Sequence, residues 1–434
     1  MKRKMHEYKK DVLYNGLPAV WDGKQFLVFS SYSGEIVALN KKEIKDQTIK
    51  HKLEKENFFG KPCTERGNPK IIRVVLIITN KCRLRCKYCY VKGGEGEFSE
   101  MDLKTAISAI KATYEEKKKT ADDIEILFFG GEPTLNFELI KKVTKFVKQL
   151  PLKHKYFHLN VDGLLDKEKI NWLVKEKFLL SLSCDGPQEM QDFLRPTING
   201  KKSSNQVEKT IKYLVGKKAL FTIRATITDY NVQLSQLVNY FANLGVKFLH
   251  FEKVIILGRA TNELKPIAEK YIKEFKKALN VASQKEIYLI TSPLMNLFFP
   301  ADHFCVQLSG GKNIITQQGE IILCYFKEME KFAKIGKIVN DKLIINKKKK
   351  QKMLNLSLPD DCQNCAFKYI CSGGCPVDNL LATGSFKKVN KELCKINKAI
   401  LHETIIFLYN KGRTKNFLPV FGTEILEHQR ENYY

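Results

Sequence analysis

Ten of the twelve cysteines in this 434-residue chain fall into spaced groups. The first group lies in TNKCRLRCKYCYVKGG, where Cys82, Cys86 and Cys89 form C-x3-C-x2-C. Three thiolates on one tight loop can hold three irons of a [4Fe–4S] cube and leave the fourth iron without a protein ligand. Such an open iron is useful when a second molecule binds it. Zinc is the competing reading, but structural zinc loops usually pair cysteines at two-residue gaps.

The second cysteine field occupies the C-terminal third. Cys305 is followed after thirteen residues by Gly319 and after four more by Cys324; then come Cys362-x2-Cys365-x5-Cys371-x3-Cys375 and, eighteen residues later, Cys394. Paired zinc ribbons need two groups of four, which seven ligands fit badly. The segment SGGC between Cys371 and Cys375 can turn sharply through its glycines.

Three further motifs separate the two fields. FFGGEPTL contains Gly130, Gly131 and Glu132; its glycines allow close backbone approach, and its carboxylate suits an ammonium. NVDG begins at Asn160, and SLSCDGPQEMQDFLR carries Ser183 and Asp185. By itself Asp185-Gly186-Pro187 also reads as a β-turn. Cys184 reads as a packing residue, and Cys63 has no grouping partner.

Repeated strand-then-helix units must position these motifs. Apolar strand candidates are Ile71–Thr79, Ile124–Phe129, Phe157–Val161, Leu179–Cys184, Leu220–Thr228 and Lys247–Lys253, with amphipathic stretches between them. Continuous apolar strands alternating with helices indicate parallel β/α units. Six units predict an α/β fold built on a partial (β/α)6 TIM-type barrel, with its chemistry at the strand C-termini. Each central motif follows a strand. In front stands a small α+β module of short antiparallel strands and a charged helix; behind comes a cysteine-rich iron–sulfur domain. The expected boundaries are 1–68, 69–295, 296–400, and 401–434 for a final helix and tail. Little helical periodicity is visible from His303 to Cys394, and a helix is expected near Lys395 to Asn410.

Composition narrows the function classes. The hydrophobic fraction of 44% is that of an ordinary globular protein, and no long apolar run or export signal appears. A cytoplasmic protein with no membrane span is expected, and its cysteines then read as metal ligands rather than disulfides. The formal charge of +27 comes from 74 Lys+Arg against 47 Asp+Glu. Most of the excess is scattered lysine, the pattern of solvated surfaces rather than a nucleic-acid footprint, so no nucleic-acid partner is expected.

The triad, with aromatic Tyr88 just before its last cysteine, resembles the radical S-adenosylmethionine (SAM) superfamily. The resemblance implies SAM chelated at the open iron and cleaved reductively to a 5′-deoxyadenosyl radical. It further implies that Tyr88, Gly130, Gly131, Glu132, Asn160, Ser183 and Asp185 serve cofactor binding. The seven later cysteines resemble the SPASM domain of peptide and protein maturases, which implies two auxiliary [4Fe–4S] clusters and three in all. Family precedent gives Cys362, Cys365, Cys371 and Cys394 to an outer cluster and Cys305, Cys324 and Cys375 to an inner one. Anaerobic sulfatase maturases add a cysteine near the position of Gly311 and an aspartate in place of Tyr325, so Tyr325 becomes the candidate catalytic residue. The front module is similar to leader-binding modules of peptide maturases. The implied function is modification of a ribosomally made, cysteine-containing precursor peptide by a thioether crosslink as in sactipeptides and ranthipeptides. Alternatives are a carbon–carbon crosslink or another peptide modification, or maturation of a whole protein such as a sulfatase to formylglycine. A flavodoxin or ferredoxin is the implied electron donor.

Overall fold

The computed structural model describes residues 10–60, 71–297, 300–301, 303–305, 311–326, 333–356 and 358–411. Cys63 and the tail 412–434 lie outside them. Strands β1 (Val12–Tyr14), β2 (Leu17–Trp21), β3 (Phe26–Phe29) and β4 (Ile36–Leu39) form an antiparallel meander, followed by α1 (Gln47–Lys55). Successive side chains on a strand point to opposite faces. One face carries Leu17, Ala19, Val28 and Leu39 onto Leu53 of α1, Phe58 and Phe59. The other sends Val20, Leu27 and Phe29 into the main core. With both faces covered, the edges at β1 and β4 are what this sheet leaves open among the described residues.

The barrel region contains β5 (Ile71–Thr79), α2 (Leu103–Lys117), β6 (Asp123–Gly130), α3 (Phe137–Lys148), β7 (His154–Val161), α4 (Lys167–Lys175), β8 (Leu179–Ser183), α5 (Gln188–Leu194), α6 (Ser204–Gly216), β9 (Phe221–Ile227), α7 (Leu234–Asn243), β10 (Phe248–Lys253), α8 (Ala268–Gln284) and β11 (Tyr288–Ile290). Strands β5 to β11 stand side by side in chain order and pair in parallel. The six expected strands are all present; α8 and β11 add a further unit. On β6, Ile124, Ile126 and Phe128 are fully buried, whereas Glu125, Leu127 and Phe129 between them stay partly accessible. The second set faces the open interior of the barrel.

The sheet continues beyond its first strand. β12 (Lys312–Ile315) pairs in parallel with β5, and β13 (Glu320–Ile322), β14 (Lys334–Val339) and β15 (Lys342–Ile345) follow antiparallel. This carries Cys324, just after β13, back towards the barrel. The C-terminal region holds more helix than its sequence suggests: α9 (Lys347–Leu354), α10 (Lys368–Cys371) and α11 (Pro376–Thr383). One or two turns are too short to show periodicity, although Pro376 in the first turn and Gly384 beyond the end of α11 are local signals. The last helix, α12 (Lys391–Asn410), starts earlier than expected because Asn390 caps it, its Oδ1 accepting from Glu392 N and Leu393 N. Cys394 therefore belongs to its first turn. Further along, His402 Nδ1 lies 2.9 Å from Asp11 Oδ2, both groups nearly fully buried, so α12 also anchors the front module.

Candidate active site and cluster sites

The triad loop is held from two sides. Arg85 N donates to Pro196 O at 2.8 Å and Lys87 N to Leu194 O at 2.9 Å, fixing the loop to the segment after α5. On the other side Arg259 donates from N to Cys89 O at 3.1 Å and from Nε to Cys86 O at 2.8 Å. Gly258 makes that approach possible: at φ +67° a Cβ there would sit 2.4 Å from Cys89 O. Each sulfur has a donor: Leu84 N to Cys82 at 3.4 Å, Gly93 N to Cys89 at 3.4 Å, and Arg195 Nη1 to Cys86 at 3.8 Å. Burial pushes the Cys82 thiol up to about 12 and Cys86 to about 11, Arg195 opposing the latter shift. Neutral thiols so placed become thiolates when a metal takes the proton's place, so the donor set fits a cluster.

Gly130 and Gly131 lie against this loop. Gly131 N donates to Thr79 O and Glu132 N to Lys81 O, both at 2.8 Å. A Cβ on Gly130 would meet Thr79 O at 2.1 Å, and one on Gly131 would meet Lys81 O at 2.2 Å. The close approach that demands glycine is therefore to the chain itself. Glu132, 1% exposed, accepts from Thr134 N and Oγ1 on one oxygen and from Asp162 N on the other. Burial, followed by Asp162, pushes its carboxyl up to about 8. Arg83 joins the network, donating to both oxygens of Asp162 and to Thr134 Oγ1. A carboxylate has more acceptor capacity than three bonds consume, so Glu132 can still accept from an ammonium.

Asn160 and Ser183, on the inward side of β7 and β8, are half-buried near the strand ends. Asp185 is placed differently. It is 0% exposed, with Oδ2 accepting from Arg195 Nε at 2.9 Å and from the Tyr88 hydroxyl, and Oδ1 from Thr226 N at 2.9 Å. The Arg195 guanidinium also lies 5.2 Å from the Tyr88 ring centroid. Tyr88, Asp185 and Arg195 thus form a buried clamp beneath the triad.

In the C-terminal region, Cys362, Cys365, Cys371 and Cys394 line one pocket of about 410 Å³, open mouth included. Burial pushes Cys362 and Cys371 up to about 12, and their neighbouring cysteines add to the shift. Cys375 is raised to about 12, first by burial and then with Cys324 and Cys305 contributing, so these three come together as a second group. Among the described residues no three His, Cys, Asp or Glu side chains converge on a single-ion site. A cubane does not ask for that convergence, because each thiolate binds a different iron.

Tyr325, the candidate catalytic residue, and two residues that the sequence reading did not single out, Tyr90 and Arg224, lie between the triad and the inner group. Tyr90, directly after Cys89, packs its ring 4.8 Å from Phe326 and is within electrostatic reach of Cys89, Cys324 and Arg224. Tyr325 packs 4.7 Å from Phe129 on the inner face of β6 and feels Tyr90 and Arg224. Arg224 stands inward on β9, between Ser183 and His250 in register, exposed to the lumen and without an ion pair among the described residues. Its alternation with buried Ile223 and Ala225 was a usable signal: a lone arginine among the inward positions of a barrel strand.

Fold and cysteine geometry together define a radical SAM enzyme. The chain belongs to the radical SAM superfamily, whose pattern matches residues 76–227. It is 32% identical over 277 residues to an uncharacterized protein of Methanocaldococcus jannaschii, covering 62% of this chain and 89% of that one. It is also 23% identical over 344 residues to a cysteine-type anaerobic sulfatase-maturating enzyme of Clostridium perfringens, covering 71% and 89%. Among solved structures, native anSMEcpe with bound AdoMet and Cp18Cys peptide superposes with a TM-score of 0.66 at 20% identity, over 79% of this chain and all of that one. Streptococcus suis SuiB bound to S-adenosylmethionine gives 0.52 at 18%, over 79% and 80%. At these identities the structures show a shared fold. The superfamily brings SAM and a [4Fe–4S] cluster as cofactors. Among the described residues no helix is long and apolar enough to cross a membrane.

Proposed function

We propose that this enzyme is a peptide maturase with three [4Fe–4S] clusters and installs a cysteine thioether in a precursor peptide. The reading is supported by Tyr90, which follows Cys89 and lies within electrostatic reach of Cys89, Cys324 and Arg224, so that the triad and the Cys305, Cys324 and Cys375 group approach the same side chains. A peptide carbon held there stands between the two cysteine groups.

When bound, SAM and the first cluster supply a 5′-deoxyadenosyl radical that takes a hydrogen atom from the substrate. The protein's own part is positional. Cys82, Cys86 and Cys89 hold the radical cluster; Glu132 receives the ammonium of SAM; Asn160 and Ser183 face its remaining polar groups; the Tyr88–Asp185–Arg195 clamp keeps the loop rigid and dry. The SPASM region, residues 296–400, holds the outer cluster on Cys362, Cys365, Cys371 and Cys394 and the inner one on its remaining three cysteines. Gly311 supplies no eighth thiol, which leaves room for a substrate thiolate. Residues 1–68 receive a leader at a sheet edge, and a flavodoxin or ferredoxin delivers electrons.

Relatives named as sulfatase-maturating enzymes keep whole-protein maturation as the alternative. Tyr325, lying against Phe129, offers no carboxylate at the place where that chemistry uses one. Mass spectrometry of the product after iodoacetamide decides between them. A thioether makes the peptide lighter by one pair of hydrogens and removes one alkylatable thiol. Loss of the hydrogens with every cysteine still alkylated indicates a carbon–carbon link, and a formylglycine in a sulfatase-derived peptide indicates the alternative.

A further inference from the structure

Helix α12 carries more than one group into the pocket of the outer cysteines. Cys394, Asn397 and Lys398 stand at i, i+3 and i+4, so all three project from one face of the helix. Asn397 is buried, and its Nδ2 donates to Cys371 Sγ at 3.5 Å. Lys398 lines the same pocket and lies within electrostatic reach of Cys362, Cys365, Cys371 and Cys394. It has no carboxylate partner among the described residues. Asp361 and Lys368 also line the pocket; the half-buried Lys398 ammonium, paired with no carboxylate among the described residues, gains where the four sulfurs carry negative charge. Iron bound by four thiolates brings that charge.

We propose that Lys398 and Asn397 set the potential of the outer cluster, holding it in favour of the reduced state. This rests on the assignment of that cluster above. One-electron reduction adds one negative charge to the iron–sulfur unit and moves no proton. A nearby cation and a hydrogen bond to a ligand sulfur both stabilise the more negative form. The electron comes from substrate oxidation by way of the inner cluster, and the outer cluster is where it rests before leaving the enzyme. The pair on α12 are positioning residues, since neither touches the substrate.

The test uses the full chain with Cys82, Cys86 and Cys89 replaced by Ala, so that the auxiliary clusters alone are titrated. Stepwise reduction with mediators, followed by electron paramagnetic resonance, should show two reductive waves. Lys398→Met should move one of them to lower potential by at least a tenfold change in the oxidised-to-reduced ratio, equal to 59 mV for one electron. Asn397→Leu should move the same wave in the same direction by less, and Lys398→Arg should restore it. Unmoved waves at unchanged iron content overturn the proposal. So does a Lys398→Met chain that loses four irons, because the lysine would then build the site rather than tune it. If the parent background itself holds about four irons rather than about eight, the assignment of two auxiliary clusters has failed instead.

Discussion

Arg195 donates from Nε to Asp185 Oδ2 at 2.9 Å, with Arg195 7% and Asp185 0% exposed. This pair joins β8, the segment after α5 and, through Tyr88, the triad loop. Breaking a buried pair leaves an uncompensated charge and costs about 3–5 kcal/mol. Asp185→Ala should therefore lower thermal stability sharply and reduce cluster incorporation at the triad, as read by unfolding curves and iron content. A stable Asp185→Ala enzyme with impaired SAM binding alone would instead return Asp185 to the cofactor-binding role that the family resemblance implies.

Glu132 gives a different signature. Its carboxyl is shifted up from 4.5 to about 8, so between those values the folded chain binds more protons than the unfolded one. By linkage this part of the stability declines as pH rises through the window and levels off above it. Glu132→Gln should flatten that slope in the SAM-free enzyme. It should also weaken SAM binding by roughly 10- to 100-fold, the effect of a charged hydrogen bond worth about 1.5–3 kcal/mol. Calorimetry and pH-dependent melting measure the two effects separately.

Much of this was legible in the sequence. The barrel strands are apolar runs with clear ends, so β5 to β10 appear where expected, and the cysteine groups are local spacings that can be read without the fold. The relations between them were not legible. His402 and Asp11 lie at opposite ends of the chain, and no local pattern announces their contact. Parallel pairing of β12 with β5 likewise depends on tertiary closure. The burial of Asp185 could not be read from a motif that serves a turn, a clamp or a ligand contact equally well.

The Asp11–His402 contact bears on the front module. Asp11→Ala removes the carboxylate that meets the buried His402 Nδ1 and should cost about 1–3 kcal/mol. Loosening of the sheet from α12 would appear as faster proteolysis near residue 60. If the module receives the leader, peptide turnover should fall further than peptide-independent SAM cleavage. Equal losses in both activities would mark residues 1–68 as a stabilising cap.

Arg224 provides the last prediction. A guanidinium flanked by Tyr90, Tyr325 and His250, with Glu252 within electrostatic reach and no ion pair among the described residues, is poised for an anion. A planar, permanently charged fork is well matched to a carboxylate. Arg224→Met removes the charge while keeping an apolar side chain of useful length, and should weaken whichever anionic partner enters the lumen by about 1.5–3 kcal/mol. Arg224→Lys keeps the charge but loses the fork, so it should recover only part of the loss. Separate calorimetric titrations with SAM and with precursor peptide identify the partner. Weakened SAM binding alone places the methionine carboxylate at Arg224, whereas weakened peptide binding with SAM unaffected places a substrate carboxylate there. If both affinities stay unchanged while the thermal midpoint falls, the arginine supports the barrel interior and binds neither ligand.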